Sequence, residues 1–467
     1  MRGLLLAAAH KSSGKTTVSI GLAAALRARG LQVQTFKKGP DFIDPAWLTA
    51  AAGRACRNLD PYLSPPEEIS AQFDAGRAGA DVALVEGNMA LFDGMAADGA
   101  DSNAALARQL AVPVVLVLDA RGMTRSVAPL VLGYRAFDRD LRIAGVILNR
   151  VKGERHERRL REAIDRYTDV PVLGALREDP ALTIEERHLG LVPAAESTTA
   201  TPRIEAIRSA VAAQVDLDRL LQQCAPLPAL PATGRPAAAA GGRRLRIGIA
   251  RDRAFCFYYP EDLQALQEAG AALVPFDTLQ DRQLPPIDAL VIGGGFPEML
   301  AAALAANAPL REQLRDAIDG GLPTYAECGG LMYLARSISV GGERLPMVGA
   351  LPADVVMQPR PVGRGYVHLQ ETEDSPWPGR FEGTIRAHEF HHSRLVDIAP
   401  GLRYAYRVSR GHGIDGARDG IVHRNVLASY AHLRCAGGHN WAARFVEFAR
   451  RVHAAGGIAA GAEPQPA

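Results

Sequence analysis

Apolar residues follow two rhythms through the first half of the chain. Short unbroken runs at Leu4–Ala8, Val33–Phe36, Val82–Val85, Val114–Leu118 and Ile143–Leu148 read as parallel strands buried on both faces, with Val172–Leu173 a shorter candidate. Stretches with helical spacing lie between them, Val18 to Arg29 being the first. Such alternation predicts βαβ units around a parallel sheet. The spacing is helical again from Ile204 to Leu221 and then gives way to a Pro-, Ala- and Gly-rich stretch. Strand-like runs resume at Arg246–Ala250, Ala272–Pro275, Ala289–Ile292 and Thr324–Ala326. From Val348 to Leu433 the pattern is alternating, Gly-rich and Thr-containing, which reads as antiparallel strands and hairpins.

These shifts predict one α/β domain over 1–195, a helix and Pro/Ala/Gly linker over 196–243, a second α/β domain over 244–452, and a disordered tail over 453–467. A length of 467 residues fits two or three cores rather than one. With 22% charged residues and a net charge of +2, nothing favours nucleic acid or a membrane surface as a partner. The five cysteines are scattered, without a Cys-x-x-Cys pair, so neither a disulfide framework nor a structural zinc site is expected. The apolar run at Leu4–Ala9 is too short for a secretory leader or a membrane span, which makes a cytoplasmic protein the expectation.

The first strand runs directly into Ala9-His-Lys-Ser-Ser-Gly-Lys-Thr-Thr17 and then a helix. That is the setting of a phosphate-binding loop. Ser13, Gly14, Lys15, Thr16 and Thr17 are the candidate nucleotide-binding residues. Gly14 allows close approach of backbone to phosphate, Lys15 carries positive charge to it, and Thr16 offers a hydroxyl to Mg²⁺. Ala9 stands where a glycine usually opens such a loop. Asp41 and Asp44 follow the second strand and Glu86 and Asp93 the third, where α/β sheets place ligand loops. Four carboxylates converging on Lys37 require balancing charge, which Mg²⁺ and phosphate supply.

A second constellation follows the strand-like run at Thr324. Tyr325-Ala-Glu-Cys-Gly-Gly330 has the form of a nucleophile elbow, with small residues flanking Cys328 and a helix to follow. His432, in Ala428-Ser-Tyr-Ala-His432, is the candidate base, and Gly294 and Gly295 could donate backbone N–H groups to an oxyanion. His388, His391 and His392 invite a zinc reading. Strand alternation sends the last two to opposite faces, which favours polar packing or a substrate pocket.

With these residues in place, the chain resembles the cobyrinate (hydrogenobyrinate) a,c-diamide synthase family over nearly its whole length. The resemblance rests on Ser13-Gly-Lys-Thr-Thr, Lys38-Gly-Pro-Asp-Phe-Ile-Asp44-Pro, Glu86-Gly with Phe92-Asp-Gly, and Arg187-His-Leu-Gly-Leu. Further on it rests on Ala254-Phe-Cys-Phe-Tyr-Tyr-Pro, Gly293-Gly-Gly-Phe-Pro-Glu, Ala326-Glu-Cys-Gly-Gly-Leu-Met-Tyr, His388-Glu-Phe-His and Ala428-Ser-Tyr-Ala-His. It implies a P-loop ATPase domain with a doubly wound parallel sheet, akin to dethiobiotin synthetase, and a class I glutamine amidotransferase domain. The implied substrates are ATP with Mg²⁺, L-glutamine and a tetrapyrrole polycarboxylate, and a homodimer is compatible with it. Implied catalytic residues are Cys328, His432, Lys37 and Asp44. Implied metal residues are Thr16, Asp41 and Glu86, and Asp93 and Asn88 lie on the acceptor side. Asn88-Met-Ala90 stands where the family usually has Val-Met-Gly, Arg434 stands in place of a second His, and Arg121 through Tyr134 is distinctive. Amidation of sirohaem or a sirohydrochlorin-type ring is therefore an alternative. An alternative of another class is a P-loop switch with a degenerate amidotransferase-like domain, against which intact Cys328 and His432 count.

Overall fold

A computed structural model of the chain describes residues 1–184, 200–228 and 244–456, with the backbone of two short strands at Glu186–Arg187 and Gly190–Leu191. The chain forms two compact units, Met1–Thr233 and Gly234–Ala467. The Arg187-His-Leu-Gly-Leu side chains, most of the Pro/Ala/Gly linker and the tail from 457 lie outside the described residues.

In the first unit seven strands form a parallel sheet. They are β1 (Arg2–Ala8), β2 (Val33–Lys38), β3 (Arg57–Leu59), β4 (Val82–Glu86), β5 (Val114–Asp119), β6 (Ile143–Val151) and β7 (Val172–Arg177), in the order β3-β2-β4-β1-β5-β6-β7. The interior strands are buried along almost their entire length, which is why they read as unbroken apolar runs. The chain winds first to one side of β1 and then to the other. The crevice at the carboxyl ends of β1, β2 and β4 is therefore a topological switch point. The full length of β7 was hidden in the sequence by Gly174, and the short β3 by its polar Arg57-Asn58.

Helix α1 (Lys15–Ala28) covers this sheet and is itself covered by a helix at Ala200–Gln214. Gly21 permits the approach, since a Cβ there would lie 2.3 Å from Val211 Cγ2. The helical stretch after Ile204 is in fact two helices, because the Asp216 carboxylate accepts from the Arg219 N–H and opens a new one at Leu217–Gln223. Both pack within the first unit rather than serving only as a connection. Composition could not reveal that contact.

The second unit is built on a nine-stranded sheet. Ala271–Phe276, Leu245–Ala250, Ala289–Ile292, Thr324–Glu327 and Val426–Ser429 are parallel neighbours in that order. The sheet continues antiparallel through Arg418–His423, Arg403–Arg410, Gly363–Glu371 and Ile385–His391. A separate four-stranded sheet (Glu343–Pro346, Ser337–Val340, Asp354–Met357, Ser393–Val396) joins two strands from the stretch read as hairpins to two that precede it. The closing helix Trp441–Ala454 buries Trp441, Phe445 and Phe448 and runs two residues into the stretch expected as tail. No described helix is long and apolar enough to cross a membrane.

Candidate functional site

The loop after β1 turns through positive φ at Ser12 (65°) and Gly14 (86°) before α1 starts at Lys15. A side chain at Gly14 would be strained and would meet Asn149 Nδ2 at 2.1 Å, so glycine is required here. Asn149, on β6, donates to the Ser13 carbonyl (2.9 Å), and Arg150 donates to the Ser12 carbonyl (2.7 Å) while pairing with Asp119 at 2.6 Å. Ser13 Oγ donates to the His10 carbonyl. Side chains from β5 and β6 thus hold the loop in shape, a role with no local signal in sequence. Turns of this kind at a helix start are the backbone setting in which N–H groups receive an anion.

Lys37 is the last residue but one of β2, and Glu86 ends β4 beside it. Both are buried, at 1% and 0% exposure. Lys37 Nζ lies 2.5 Å from Asp44 Oδ2, 2.8 Å from Glu86 Oε1 and 3.7 Å from Asp41 Oδ2. Thr16 Oγ1 lies 2.7 Å from the same Glu86 oxygen and 3.2 Å from Asp44, and Lys15 Nζ lies 3.8 Å from Glu86. Thr17 follows on α1, half-exposed. Asp41 Oδ1 accepts from the N–H groups of Ile43 and Asp44 and turns the chain into the helix Ile43–Ala52. Burial alone would depress the Lys37 ammonium, but Asp44, Glu86 and Asp41 hold it well above the ordinary lysine value. Burial and the Asp44 charge push Asp41 up to about 7. Lys15 is held below its ordinary value by burial and by Lys37. Three carboxylates and two ammonium groups therefore share one largely buried corner beside the phosphate loop.

Asp93 does not join them, which corrects the expected four-carboxylate convergence. Its Oδ2 faces the Ala90 N–H at 3.3 Å, and its charge acts on Lys38 and Tyr134 instead. The loop after Glu86 turns through positive φ at Met89 (56°). Asn103, fully buried, holds that loop: it accepts from the Asn88 N–H and donates to the carbonyls of Asn88 and Ala90.

The second unit carries the cysteine site. Cys328 sits just past the strand Thr324–Glu327 at φ 47°, ψ −100°, a conformation rare for a residue with a side chain. Gly329 and Gly330 make that turn possible: a Cβ on Gly330 would meet the Ile292 carbonyl oxygen at 2.3 Å, and one on Gly329 would lie 3.0 Å from Gly295 N. The Cys328 N–H donates to the Ser429 carbonyl (2.7 Å), so the elbow and the end of the strand Val426–Ser429 lie side by side. His432 follows three residues later, buried, with Nδ1 3.4 Å from Glu327 Oε2. Burial would lower the imidazole, but hydrogen bonding to Cys328 and then to Glu327 raises it to about 10. Asp419 pins this turn by accepting from the N–H groups of Tyr430 and Ala431 (3.0 and 2.9 Å). Gly294 lies against His432, since a Cβ there would come within 2.4 Å of its Cε1.

The three other histidines have separate surroundings. His388 stacks on His432 with centroids 4.8 Å apart, His391 stacks on Tyr430 at 3.8 Å, and the His392 ring lies near Phe390. This is polar packing, not a shared ligand set.

Residues 5–192 match the family of CobQ/CobB/MinD/ParA nucleotide binding domains, and residues 246–440 match the CobB/CobQ-like glutamine amidotransferase domain. A protein of Magnetococcus marinus named cobyrinate a,c-diamide synthase is 47% identical over 453 residues, covering 96% of this chain and 97% of that one. The chain belongs to the cobyrinate a,c-diamide synthase family. Cobyrinate a,c-diamide synthases of Methanosarcina acetivorans (41% identical; 97% of this chain, 96% of that one) and Syntrophotalea carbinolica (42%; 96% and 98%) show the same full-length likeness. In this cobyrinate a,c-diamide synthase family member the phosphate loop and carboxylate corner fall inside the first matched segment. The elbow and its histidine fall inside the second.

Proposed function

We propose that the chain carries out ATP- and glutamine-dependent amidation of the a and c acetate side chains of cobyrinate or hydrogenobyrinate, with Cys328 and His432 supplying ammonia. The observation that carries the reading is the strained Cys328 elbow beside His432 in a chain that also holds a phosphate loop. A nucleotide-driven switch has no use for it.

Cys328 Sγ attacks the glutamine side-chain amide as His432 takes the thiol proton and returns it to the departing nitrogen. Ammonia leaves, and water hydrolyses the glutamyl thioester to glutamate. Gly295 N–H, next to the elbow, and its neighbour at Gly294 would receive the oxyanion. In the first unit, a carboxylate of the tetrapyrrole attacks the γ-phosphorus of ATP to give an acyl phosphate and ADP. Ammonia then displaces phosphate to leave a primary amide. Activation is needed because a carboxylate is a poor electrophile at neutral pH. Ser13, Gly14, Lys15, Thr16 and Thr17 hold the phosphates, and Lys37, fixed by Asp44, bears on the charge that develops in transfer.

The residues present fit a divalent cation. Glu86 Oε2 is buried without a hydrogen-bond partner, Thr16 bonds the other oxygen of that carboxylate, and Asp41 and Glu86 share the Lys37 ammonium. Mg²⁺ is ordinarily held by one or two carboxylates together with phosphate oxygens, so a sparse protein set suffices. Thr16, Asp41 and Glu86 would hold it, and when bound it would neutralise phosphate charge. The same reading takes in L-glutamine and a tetrapyrrole polycarboxylate as substrates, a cytoplasmic setting and a homodimer.

Purified variants test the division of labour. Cys328→Ser should lose glutamine-driven amidation yet keep amidation driven by ammonium, and Lys15→Ala should lose both. Glutamine-driven product from Cys328→Ser would overturn the assignment. ATP turnover across cobyrinate, hydrogenobyrinate, sirohaem and nickel sirohydrochlorin tests the ring, and preference for either sirohydrochlorin-type compound would overturn that part.

A further inference from the structure

A thiol–imidazole pair needs a third group to hold the imidazole in the tautomer that accepts the thiol proton. The residue preceding the nucleophile stands in that position. Glu327 ends its strand on the same face as Tyr325, two residues back, while the turn carries Cys328 away. Its carboxylate is buried and divided between two tasks. Oε1 accepts from the Tyr325 hydroxyl (2.5 Å) and from the Leu433 N–H (2.9 Å), and Oε2 faces His432 Nδ1 at 3.4 Å. Tyr325 is itself immobilised between Trp377 and Trp441, with ring centroids 5.0 and 4.8 Å away. Glu327 therefore bonds the backbone of Leu433 and faces the ring of His432 with its other oxygen.

We propose that Glu327 is the positioning residue of the glutaminase site, holding His432 with its proton on Nδ1 so that Nε2 is left to take the proton of Cys328. The inference rests on the reading of Cys328 and His432 given above. The other titratable groups packed near His432 do not perform this task. His388 stacks on its face rather than at its edge, and burial, the His432 charge and Arg434 hold His388 well below the ordinary histidine value. Arg434 lies over the Tyr259 ring, 4.9 Å from its centroid, and being cationic it cannot accept from Nδ1.

The substitution Glu327→Gln tests this with unusual selectivity. Both donors on Oε1 require an acceptor there, so the amide oxygen must take that place and the NH₂ group must face His432 Nδ1. The ring then turns to the wrong tautomer. Glutaminase kcat should fall about 10³–10⁴-fold, the scale known for misdirecting a catalytic imidazole in this way. The alkaline limb of kcat/KM for glutamine should move down by about one pH unit or more, because the imidazolium loses its anionic neighbour. Ammonium-driven amidation should remain at the wild-type level, which shows that the chain is folded. A second variant, Tyr325→Phe, keeps the carboxylate and removes one donor from it, so its alkaline limb should stay or rise. An unmoved alkaline limb in Glu327→Gln, or a lowered one in Tyr325→Phe, overturns the proposal. Cys328→Ser, assayed beside them, separates the two levels. Glutaminase surviving in that variant refutes the underlying reading, whereas its loss with Glu327→Gln near wild type refutes only the role of Glu327.

Discussion

Lys37 offers the most direct way to measure how the carboxylate corner is balanced. Lys37→Met preserves most of the side chain's length and removes the ammonium that lies within 2.5 to 3.7 Å of Asp44, Glu86 and Asp41. Lys15 remains, 3.8 Å from Glu86, and can replace only part of the attraction. Removing one partner of a buried ion pair costs about 3–5 kcal/mol. The lower end applies here, because Asp41 is already pushed up to about 7 by burial and Asp44 and can relieve the repulsion by taking a proton. About 3 kcal/mol in a unit of this size lowers Tm by about 6–12 °C. Calorimetry of the metal- and nucleotide-free protein at pH 8 and pH 5 reads this out in the transition that ATP shifts. The sign follows from proton linkage. In the variant the crowded carboxylates titrate above their unfolded values, so the stability they contribute is present at low pH and lost as pH rises. The deficit should therefore be large at pH 8 and shrink at pH 5. A Tm drop smaller than about 2 °C at pH 8, or an equal deficit at both pH values, would refute the charge-balance argument.

Three further outcomes are expected. Gly294→Ala places a methyl 2.4 Å from His432 Cε1 and should cut glutaminase activity about 100-fold with ammonium-driven amidation intact; activity within tenfold of wild type would falsify the packing account. Asn149→Ala removes the donor to the Ser13 carbonyl, a net loss of about 1 kcal/mol, and should raise KM for ATP about fivefold; an unchanged KM means that the loop holds itself. Asp354 is buried, yet bonds from Arg336, Ser337 and Arg344 hold it down at about 2. A depressed carboxylate stabilises the fold above its ordinary value of 3.8 and loses that contribution as pH falls through about 2. The urea midpoint should thus fall more between pH 5 and pH 2.5 in wild type than in Asp354→Asn, and parallel losses count against it.

The alternation of apolar runs and helical spacing made the first sheet legible, because strands buried on both faces have no polar positions to blur them. The residues that would touch phosphate or glutamine were legible for a related reason: Gly14 and Cys328 take positive φ in turns between a strand and a helix, where residue choice is restricted, and Lys15 and His432 lie in recognisable motifs beside such strands. Their supports were not. Asn149 ties down Ser13, Asn103 braces the loop after Glu86, and Asp419 pins the turn before His432. Each is an ordinary polar residue from a distant part of the chain, and nothing local distinguishes it from a solvated one. Asp93 misled for the opposite reason. It follows a strand as Asp44 does, but the loop turns through positive φ at Met89 and Asp93 folds back on the Ala90 N–H, and a single backbone φ is invisible in sequence. The packing of the helix at Ala200–Gln214 on α1 was not legible, because its hydrophobic stripe is narrow, with Ile207 and Val211 its buried residues.

The loop that sets Asn88-Met89-Ala90 apart also shows how a change there can act. Asn103 holds the backbone on both sides of Met89, by the N–H and carbonyl of Asn88 and by the carbonyl of Ala90. Ala90 is buried, and the Asn88 amide is directed at the preceding loop, 3.3 Å from where a Cβ on Gly39 would stand. Met89, at positive φ, is the side chain of the three that is exposed, by 48%. Replacing Ala90 with glycine, the residue usual in the resembled family, would leave the outward surface almost unchanged and would loosen the backbone that Asn103 holds. Any influence of position 90 on the choice of macrocycle must therefore pass through the path of the loop, whereas Met89 can meet a ligand directly.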